Sequence, residues 1–180
     1  MGFELSIHDI PHYTYKDYEL WEGDWELIKG IPYSMSPAPN WKHQDFGSNF
    51  VTGFNTAIKK NKDCGCIVLY ECDWIINNDT VVRPDVMIVC EPIEGNYPTK
   101  PPALILEILS PQSLLKDRNT KFNLYQSFGV KYYLIANIDK KEIEVFQLID
   151  NRYKQVQNLN KFQLTNACSA DINLLKLFNS

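Results

Sequence analysis

Two short apolar runs, each carrying one acidic residue, constrain the fold of this chain more than any other feature. They are residues 83–90, RPDVMIVC, and residues 101–111, PPALILEILSP. Aliphatic runs of this length beside prolines predict strands that are buried on both faces of a sheet. Asp85 lies near the start of the first run and Glu107 lies well inside the second. A buried carboxylate is unfavourable unless it is paired or binds a cation, and two on neighbouring strands repel each other, so we expect a divalent metal ion at Asp85 and Glu107.

The same two acids also have a purely structural interpretation. Asp85 follows a proline and would then be a turn residue at the start of its strand. Glu107 would pair with Arg83 or with Lys121. The pattern of the two runs leaves both interpretations open, although an acid centred in Leu-Ile-Leu-Glu-Ile-Leu is harder to explain structurally than an acid on a loop.

A helix predicted over residues 113–128 follows the Glu107 strand directly. Three of its side chains share one face because they are spaced by four residues: Asp117, Lys121 and Tyr125. Lys116 is expected to lie off that face. We expect the face to look back over the end of the Glu107 strand, where a lysine ammonium would stabilise negative charge on a reacting phosphate or position a water. In the alternative interpretation, Asp117 and Lys121 form an exposed ion pair worth only about 0.2–0.5 kcal/mol.

Helix and strand patterns place these segments in an α/β architecture. In chain order the predicted elements are a helix at 15–21 after Thr14, a hairpin at 25–35 that turns at Lys29-Gly30, the end of this leader at 36–39, a helix after Asn40, strands at 67–74, 83–90 and 101–111, the helix at 113–128, strands at 130–136 and 143–146, and an edge strand at 162–164. A meander followed by a crossover helix predicts a mixed central β-sheet flanked by helices, with an N-terminal helix and β-hairpin leader. Phe46, Phe50 and Phe54 recur at helical spacing and are assigned to the core.

Length and charge limit the class of protein. At 180 residues with 44% hydrophobic residues, the chain is expected to form one domain over residues 1–180. A formal net charge of -4 argues against a broadly basic surface for nonspecific polyanion binding. No apolar run approaches the roughly 20 residues that span a bilayer, and the N-terminal residues lack the pattern of a signal peptide. We therefore expect a cytoplasmic protein that does not enter a membrane.

Five cysteines occur, at positions 64, 66, 72, 90 and 168. Their spacing does not match a disulfide framework, so we expect reduced thiols. The segment Cys64-Gly-Cys66 also lacks the Cys-x2-Cys pairs of many zinc sites, and only three histidines are present, at positions 8, 12 and 43. The sequence therefore does not predict structural zinc. His43, near the start of a predicted helix, is expected to be a capping or surface residue.

Taken together, the motifs resemble one known family. The matching segments are Arg83-Pro-Asp85, Pro102-x4-Glu107-x-Leu-Ser-Pro111, Asp117-x3-Lys121-x3-Tyr125 and Gly-Val-x-Tyr-Tyr at 129–133. The leader at 25–30, WELIKG, with Ser36-Pro37 and His43, matches as well. Over residues 10–148 the chain is similar to the Uma2-type (DUF820) family, a group of PD-(D/E)XK restriction-endonuclease-like proteins.

The resemblance implies a nuclease core built on a four-stranded mixed sheet flanked by helices. It implies Mg²⁺, with Mn²⁺ as a substitute, held by Asp85 and Glu107. From the residues alone we also expect the backbone carbonyl of Ile108 to contact the ion, and the ion to lower the pKa of a bound water. Leu109 stands where the superfamily has a strand lysine, and Lys121 on the next helix is the expected replacement.

Three further residues are expected to support the catalytic set of Asp85, Glu107 and Lys121. They are Glu26, Asp117 and Tyr125. Glu26 matches an acid in the family's leader and would complete the metal shell. In the alternative, Glu26 is a hairpin residue that faces solvent.

Two functions from different classes remain open. The first is a Mg²⁺-dependent endonuclease that hydrolyses nucleic-acid phosphodiester bonds, with double-stranded DNA as the expected substrate and a homodimer as the expected assembly. The second is a catalytically inactive nuclease-fold module for DNA binding or protein interaction. The acidic pI of about 5.4 and the missing strand lysine favour the second, whereas the retained acids and Lys121 favour the first. Trp21, Trp25 and Trp41 are expected to be exposed and to form the dimer contact.

Overall fold

The computed structural model of the chain describes residues 11–35, 40–110 and 116–178. Its helical segments are α1 (Tyr15–Tyr18), α2 (Trp41–Ile58), a π-helical turn (Lys116–Lys121), α3 (Phe122–Ser127) and a 3-10 helix (Leu174–Phe178). Its strands are β1 (Trp25–Ile28), β2 (Ile31–Ser34), β3 (Ile67–Tyr70), β4 (Trp74–Asn77), β5 (Thr80–Val82), β6 (Val86–Val89), β7 (Leu104–Ile108), β8 (Tyr132–Asn137), β9 (Glu142–Ile149), β10 (Arg152–Val156), β11 (Lys161–Gln163) and β12 (Ser169–Asp171). The predicted leader end at 36–39 and the predicted helix start at Ser113 lie outside the described residues. No helix in the described ranges combines the length and the apolar character needed to cross a bilayer.

A mixed sheet of six strands forms the centre of the fold, in the order β10-β9-β8-β7-β6-β3. β7 and β8 pair in parallel, and the other neighbours in this sheet pair antiparallel. The segment that joins β7 to β8 contains the π-helical turn and α3, as the predicted crossover helix requires. The predicted α/β class with a mixed central sheet is therefore confirmed, in a sheet larger than the four-stranded core that the resemblance implied.

Side chains of the central strands alternate between two faces, and each face packs on a different helix. The face toward α2 contains Val86, Ile88, Leu104 and Leu106, together with the predicted core residues Phe46, Phe50 and Phe54. The face toward α3 contains Met87, Val89, Ile105 and Tyr133, with Leu124 and Tyr125 of the helix. β6 and β7 are buried along their whole length, which confirms that the two apolar runs form strands covered on both sides.

A second sheet, in the order β2-β1-β5-β4, carries the leader hairpin. Lys29 and Gly30 have positive φ angles of 52° and 75°, as a two-residue type I′ turn requires, so the predicted turn is confirmed. β1 pairs with β5 through Leu27 and Val81. Since β5 leads directly into the Arg83-Pro-Asp85 segment, this pairing places the leader beside the start of β6.

Aromatic exposure in the leader differs from expectation. Trp41 is 75% exposed, as predicted. Trp21 and Trp25 are only half-exposed, because their rings pack edge to face with centroids 5.9 Å apart. Of the three tryptophans that were expected to be exposed, only Trp41 presents most of its side chain to solvent.

The start of α2 is fixed against the end of β3. The Asn40 side-chain oxygen accepts hydrogen bonds from two backbone N–H groups of the first turn, which confirms the predicted cap. Gly47 allows a close approach, since a Cβ there would lie 2.7 Å from the ring of Tyr70. The Tyr70 hydroxyl donates to Gln44 at 2.8 Å, and the Gln44 amide donates to Glu71 at 3.1 Å.

The prediction of one strand over residues 67–74 is wrong. β3 ends at Tyr70, Glu71 has a positive φ of 46°, and Trp74 begins β4 in the second sheet. The sequence hides this break because Trp74 is buried again, in a different core. The first helix is also shorter than predicted and ends at Tyr18.

Two disulfides, Cys64–Cys168 and Cys66–Cys90, correct the expectation that all cysteines are reduced. Cys66 precedes β3 and Cys90 follows β6, and the antiparallel register of these strands places the two residues opposite each other. Cys168 precedes β12, which packs on α2. Such contacts depend on strand register and helix packing, and spacing along the chain does not reveal them. Cys72 takes part in neither disulfide.

Candidate active site

Asp85 and Glu107 occupy facing positions at the same end of two neighbouring strands. The register of β6 and β7 pairs Val86 with Leu106, so Asp85, one residue before, faces Glu107, one residue after. The Asp85 carboxylate accepts a hydrogen bond of 2.6 Å from the backbone N–H of Ile108. Glu107 is 3% exposed. The structure thus brings the two predicted carboxylates to one strand pair.

Glu107 accepts hydrogen bonds from two side chains of the following helical segment. Lys121 Nζ donates to Glu107 Oε1 at 2.9 Å, and the Tyr125 hydroxyl donates to the same oxygen at 2.7 Å. Asp117 Oδ1 lies 3.9 Å from Lys121 Nζ. The predicted helix face therefore does look back over the Glu107 strand. An exposed Asp117–Lys121 pair is wrong, because both residues are buried.

Glu26 joins the leader hairpin to this cluster. Its Oε1 lies 2.8 Å from Lys121 Nζ and accepts the backbone N–H of Arg83 at 3.0 Å. Its Oε2 accepts a hydrogen bond of 2.6 Å from Lys116 Nζ. The alternative in which Glu26 faces solvent is wrong, because the side chain is fully buried. Through Arg83, Glu26 also holds the segment that leads to Asp85.

The π-helical turn aligns Lys116 with Lys121. Its hydrogen bonds run between residues five apart, so residues with this spacing lie on the same side. Both lysines accordingly reach Glu26. The expectation that Lys116 lies off the site is wrong, because it assumed α-helical spacing. Lys116 is thus a residue of the cluster that sequence reasoning missed.

Arg83 fixes the surroundings of the cluster. Its guanidinium contacts Asp73 at 2.7 Å and Asp24 at 2.6 Å. The Tyr18 hydroxyl of α1 donates to Asp73 at 2.9 Å. These contacts leave Lys121, rather than Arg83, as the cation beside Glu107, and they tie α1 and the leader hairpin to the start of β6.

Burial and neighbouring charges set different protonation states within the cluster. Burial raises the pKa of Glu107 well above its usual range, although the charge of Lys121 opposes this shift. Burial also acts to raise the pKa of Glu26, but the charges of Lys121 and Lys116 outweigh burial and hold that pKa below its usual value. Burial acts to lower the pKa of Lys121, whereas the surrounding carboxylates raise it well above its usual value. Lys121 is therefore an ammonium paired with ionised Glu26, and Glu107 is the acid that more readily keeps a proton.

His43 reaches Asp85 from the first turn of α2. Its Nε2 lies 3.4 Å from Asp85 Oδ2, and its side chain is 12% exposed, so the expectation of a surface or capping role is wrong. Burial acts to lower the pKa of His43, but the hydrogen bond and charge of Asp85 raise it above its usual value. Ligand-type atoms of His43, Asp85 and Glu71 all lie within 4.8 Å of one another. The sequence signal for His43 was its match to the family's leader pattern; Glu71 had none.

The donor atoms around Asp85 fit a divalent cation. Carboxylate oxygens are the ligands that Mg²⁺ prefers, and an imidazole nitrogen is accepted by softer divalent ions such as Mn²⁺. Glu107 adds a carboxylate from the facing strand, of which Oε1 already accepts two hydrogen bonds. The predicted pair of Asp85 and Glu107 therefore supplies ligands of the right type, with His43 and Glu71 next to Asp85.

Comparisons with known proteins agree with this arrangement of the fold. Residues 15–172 match the model of the Uma2 family, described as "Putative restriction endonuclease". A solved structure of a "putative nuclease belonging to DUF820" from Anabaena variabilis ATCC 29413 superposes with a TM-score of 0.71, covers 92% of this chain and 97% of that chain, and shares 16% sequence identity. None of the curated proteins matches the chain. At this identity the superposition supports the fold, and the family match, which spans most of the sequence, identifies the lineage: the chain belongs to the Uma2 family.

Proposed function

We propose that this protein is a Mg²⁺-dependent endonuclease that hydrolyses phosphodiester bonds of nucleic acid, with double-stranded DNA as its substrate. One observation carries the proposal. The buried ammonium of Lys121 contacts Glu107, which faces Asp85 across β6 and β7. A cation and several acids gathered at one strand end are costly for stability alone, and they match the needs of phosphoryl transfer.

In this proposal Asp85 and Glu107 hold Mg²⁺, and Mn²⁺ can replace it. The bound ion would supply a Lewis acid for the phosphate oxygen and lower the pKa of the attacking water. Glu107 must give up the proton that burial favours before it can serve as a ligand. Binding of the ion is therefore expected to tighten as the pH rises.

Lys121 is proposed to act directly on the reacting phosphate, by stabilising the negative charge that develops on it or by orienting the water. Glu26 and Asp117 keep Lys121 ionised and fixed, and Tyr125 orients Glu107 by donating to its Oε1. Lys116 balances the second oxygen of Glu26. These are positioning roles, and they give each buried charge a partner.

The test is cleavage of plasmid and linear DNA with and without Mg²⁺. Wild-type protein should cut in the presence of Mg²⁺ and stop when a chelator is added. Glu107→Gln keeps the shape of the protonated acid and should lower the rate by at least about 100-fold, because a ligand is lost. The matched control is Glu142→Gln, which changes an exposed glutamate on β9 and should leave the rate unchanged.

An inactive module for DNA or protein binding is the alternative function. Leu109 favours this alternative. It stands where the superfamily has a strand lysine, so the strand supplies no amine there, and its side chain packs against the core on the α3 side. DNA binding without cleavage by wild-type protein, at every metal and substrate tried, would establish this alternative and reject the nuclease.

A further inference from the structure

Four cysteine sulfurs meet at a place that the proposed catalytic site does not use. The sulfur atoms of Cys64, Cys66 and Cys168 all lie within 4.8 Å of one another, and Cys90 is bonded to Cys66. Three separate parts of the fold supply them: the segment between α2 and β3, the facing ends of β3 and β6, and the β11–β12 hairpin. The fold, rather than the local sequence, therefore creates a four-sulfur cluster.

The backbone holds this cluster together independently of bonds between the sulfurs. The register of β3 and β6 places the Cα atoms of Cys66 and Cys90 4.0 Å apart. The Asn61 side-chain amide, just after α2, donates to the carbonyl of Ser169 at 2.7 Å, beside Cys168. Strand pairing and this hydrogen bond keep the side chains converging when the thiols are reduced.

After reduction of the two disulfides, the four sulfurs are close enough together for one tetrahedral metal ion. Zn–S bonds of about 2.3 Å place the sulfur atoms of a tetrahedral site about 3.8 Å apart. The sulfurs of Cys64, Cys66 and Cys168 lie within 4.8 Å of one another in the oxidised protein, so the bonded sulfurs need only separate to the tetrahedral spacing once they are reduced. Cys66 and Cys168 are buried, and Cys64 and Cys90 are half-buried, so the cluster is shielded from most solvent. Thiolates are soft ligands and select Zn²⁺ over Mg²⁺ or Ca²⁺.

We propose that Cys64, Cys66, Cys90 and Cys168 form a structural zinc site in the reduced protein. In the oxidised protein the same four sulfurs form the two disulfides. A dithiol reductant converts the oxidised form to the reduced form: each protein disulfide takes up two electrons and two protons, and one dithiol becomes a disulfide. Binding of Zn²⁺ then releases the four thiol protons and leaves four Zn–S bonds.

Two permanent disulfides are the competing explanation. They require an oxidising environment, and they give no reason for the two bonds to lie against each other. Two independent crosslinks can sit anywhere in a fold. A tetrahedral site needs all four sulfurs at one point, and sulfurs of both disulfides share one 4.8 Å cluster.

The test is a titration of reduced, metal-free protein with Co²⁺ and then Zn²⁺, in the absence of oxygen and with a phosphine as reductant. We expect one Co²⁺ per chain with thiolate-to-cobalt charge-transfer bands, followed by displacement with one equivalent of Zn²⁺. Cobalt bound to the carboxylates of Asp85 and Glu107 produces no such bands. The outcome is therefore independent of the nuclease proposal.

Single serine substitutions test which thiols take part. Cys72→Ser is the matched control and should leave the bands unchanged, because Cys72 lies outside the cluster. Cys64→Ser and Cys90→Ser each remove one ligand at a half-buried position and should weaken Co²⁺ binding by at least about 100-fold, the upper end of the loss seen for a second-shell partner. In zinc-loaded protein one thiol should react with a disulfide reagent. After a chelator has removed the zinc from the reduced protein, five thiols should react.

Measurements on the wild-type protein test the zinc proposal even if a serine variant does not fold. Zn²⁺ should raise the Tm of the reduced wild-type protein by more than it raises that of the oxidised protein, in which only the site around Asp85 is open to the ion. Reduced wild-type protein that binds no Co²⁺ with charge-transfer bands would overturn the proposal. A loss of the bands in Cys72→Ser equal to that in Cys90→Ser would overturn it as well.

Discussion

Lys121 carries a full charge in the interior only because carboxylates from different parts of the chain surround it. Glu26 Oε1 lies 2.8 Å and Glu107 Oε1 lies 2.9 Å from its Nζ, and Asp117 is 3.9 Å away. Removing one partner of a buried ion pair costs about 3–5 kcal/mol, because the other charge is left unpaired. Variants of this residue must therefore be judged on folding and on chemistry separately.

Lys121→Met should lower the cleavage rate on the order of 10²–10³-fold, because it removes one preorganised charge from the site. Its Tm should also fall, since Glu26 and Glu107 lose their shared cation. The rate is measured well below that Tm, with circular dichroism to verify folding. Metal affinity, followed by calorimetry, should persist.

Lys154→Met is the matched control for Lys121. Lys154 pairs with an aspartate four residues away, as Lys121 does, but at the surface and at 3.8 Å. An exposed pair contributes at most about 1 kcal/mol, so rate and Tm should both stay close to wild type. Equal cleavage by the two variants would remove Lys121 from the catalytic set. Lys116 does not serve as a control, because it contacts Glu26.

His43 should make the stability of the metal-free protein depend on pH. The pKa of His43 is raised in the folded state, so its contribution is present below the unfolded-state pKa and is lost as the pH rises through the folded-state pKa. His43→Gln should therefore cost more unfolding free energy at about pH 5.5 than at about pH 9. Chemical denaturation with a chelator present measures both values.

His12→Gln is the control for His43. His12 also lies 3.4 Å from an aspartate, but its side chain is 61% exposed, so solvent screens the pair. A cost that is the same for His43→Gln at both pH values would contradict the assigned interaction with Asp85.

Residues of the candidate site can be predicted from the sequence where a charged side chain stands in an apolar run or where polar residues recur at helical spacing. Asp85 and Glu107 are acids in apolar runs, and Lys121 and Tyr125 recur at the spacing of an α-helix. Lys116 was missed because one π-helical turn changes that spacing. Glu71 was missed because its approach to Asp85 depends on the break after β3, which the apolar pattern hides.

At the scale of elements, the contact between α2 and β3 supports the side of the site that contains His43 and Asp85. Gly47 lets the Tyr70 ring approach α2 closely, and the Tyr70 hydroxyl also begins the hydrogen bonds that run through Gln44 to Glu71. A displaced β3 end therefore moves Glu71 relative to Asp85, whose backbone carbonyl accepts the Glu71 N–H at 2.9 Å.

Gly47→Ala should destabilise the protein by about 1–3 kcal/mol, because the new Cβ would lie 2.7 Å from the Tyr70 ring. The sign of this change in stability tests the contact, because a glycine-to-alanine substitution inside a helix otherwise stabilises a protein by about 0.5–1 kcal/mol. Denaturant unfolding measures the change. Ser48→Ala, at the next and exposed position of α2, should stay within about 0.5 kcal/mol of wild type. A stabilised Gly47→Ala variant would show that the contact is loose.

Turns and long periodic elements were predicted well, and breaks between sheets were not. Lys29-Gly30 takes positive φ angles in a two-residue turn, as its composition indicates. The change from one sheet to the other at Glu71 could not be predicted from the sequence, because the residues on both sides are apolar. The pairing of Cys66 with Cys90 could not be predicted either, because it follows from the register of β3 and β6.

At the scale of the molecule, the charged residues around Lys121 lie where the second sheet, which carries the leader hairpin, meets the central sheet. Glu26 comes from β1, Glu107 from β7 and the two lysines from the crossover segment. The proposed cleavage of both strands of a duplex would take two such groups of residues, which a homodimer would provide.

We expect the protein to form a homodimer through the leader and the adjoining start of α2, with Trp41 in the contact, since this side chain is 75% exposed. Trp41→Ser should weaken self-association by roughly 30-fold or more, as for a buried aromatic anchor worth about 2 kcal/mol. Sedimentation equilibrium measures this change. Tyr97→Ser, at an exposed aromatic residue outside the leader, should leave association unchanged. A wild-type mass that stays monomeric at every concentration would contradict the expectation.

The contact between Glu26 and Lys116 spans 90 positions of the chain. During synthesis the leader therefore leaves the ribosome long before the lysines that neutralise its buried acid. A chain that terminates early contains Glu26 and even Asp85, but it has neither ammonium and lacks β8, the parallel partner of β7. Such a fragment cannot assemble the cluster. For the proposed nuclease, this order of synthesis means that an incomplete copy lacks the group of residues that would cut nucleic acid.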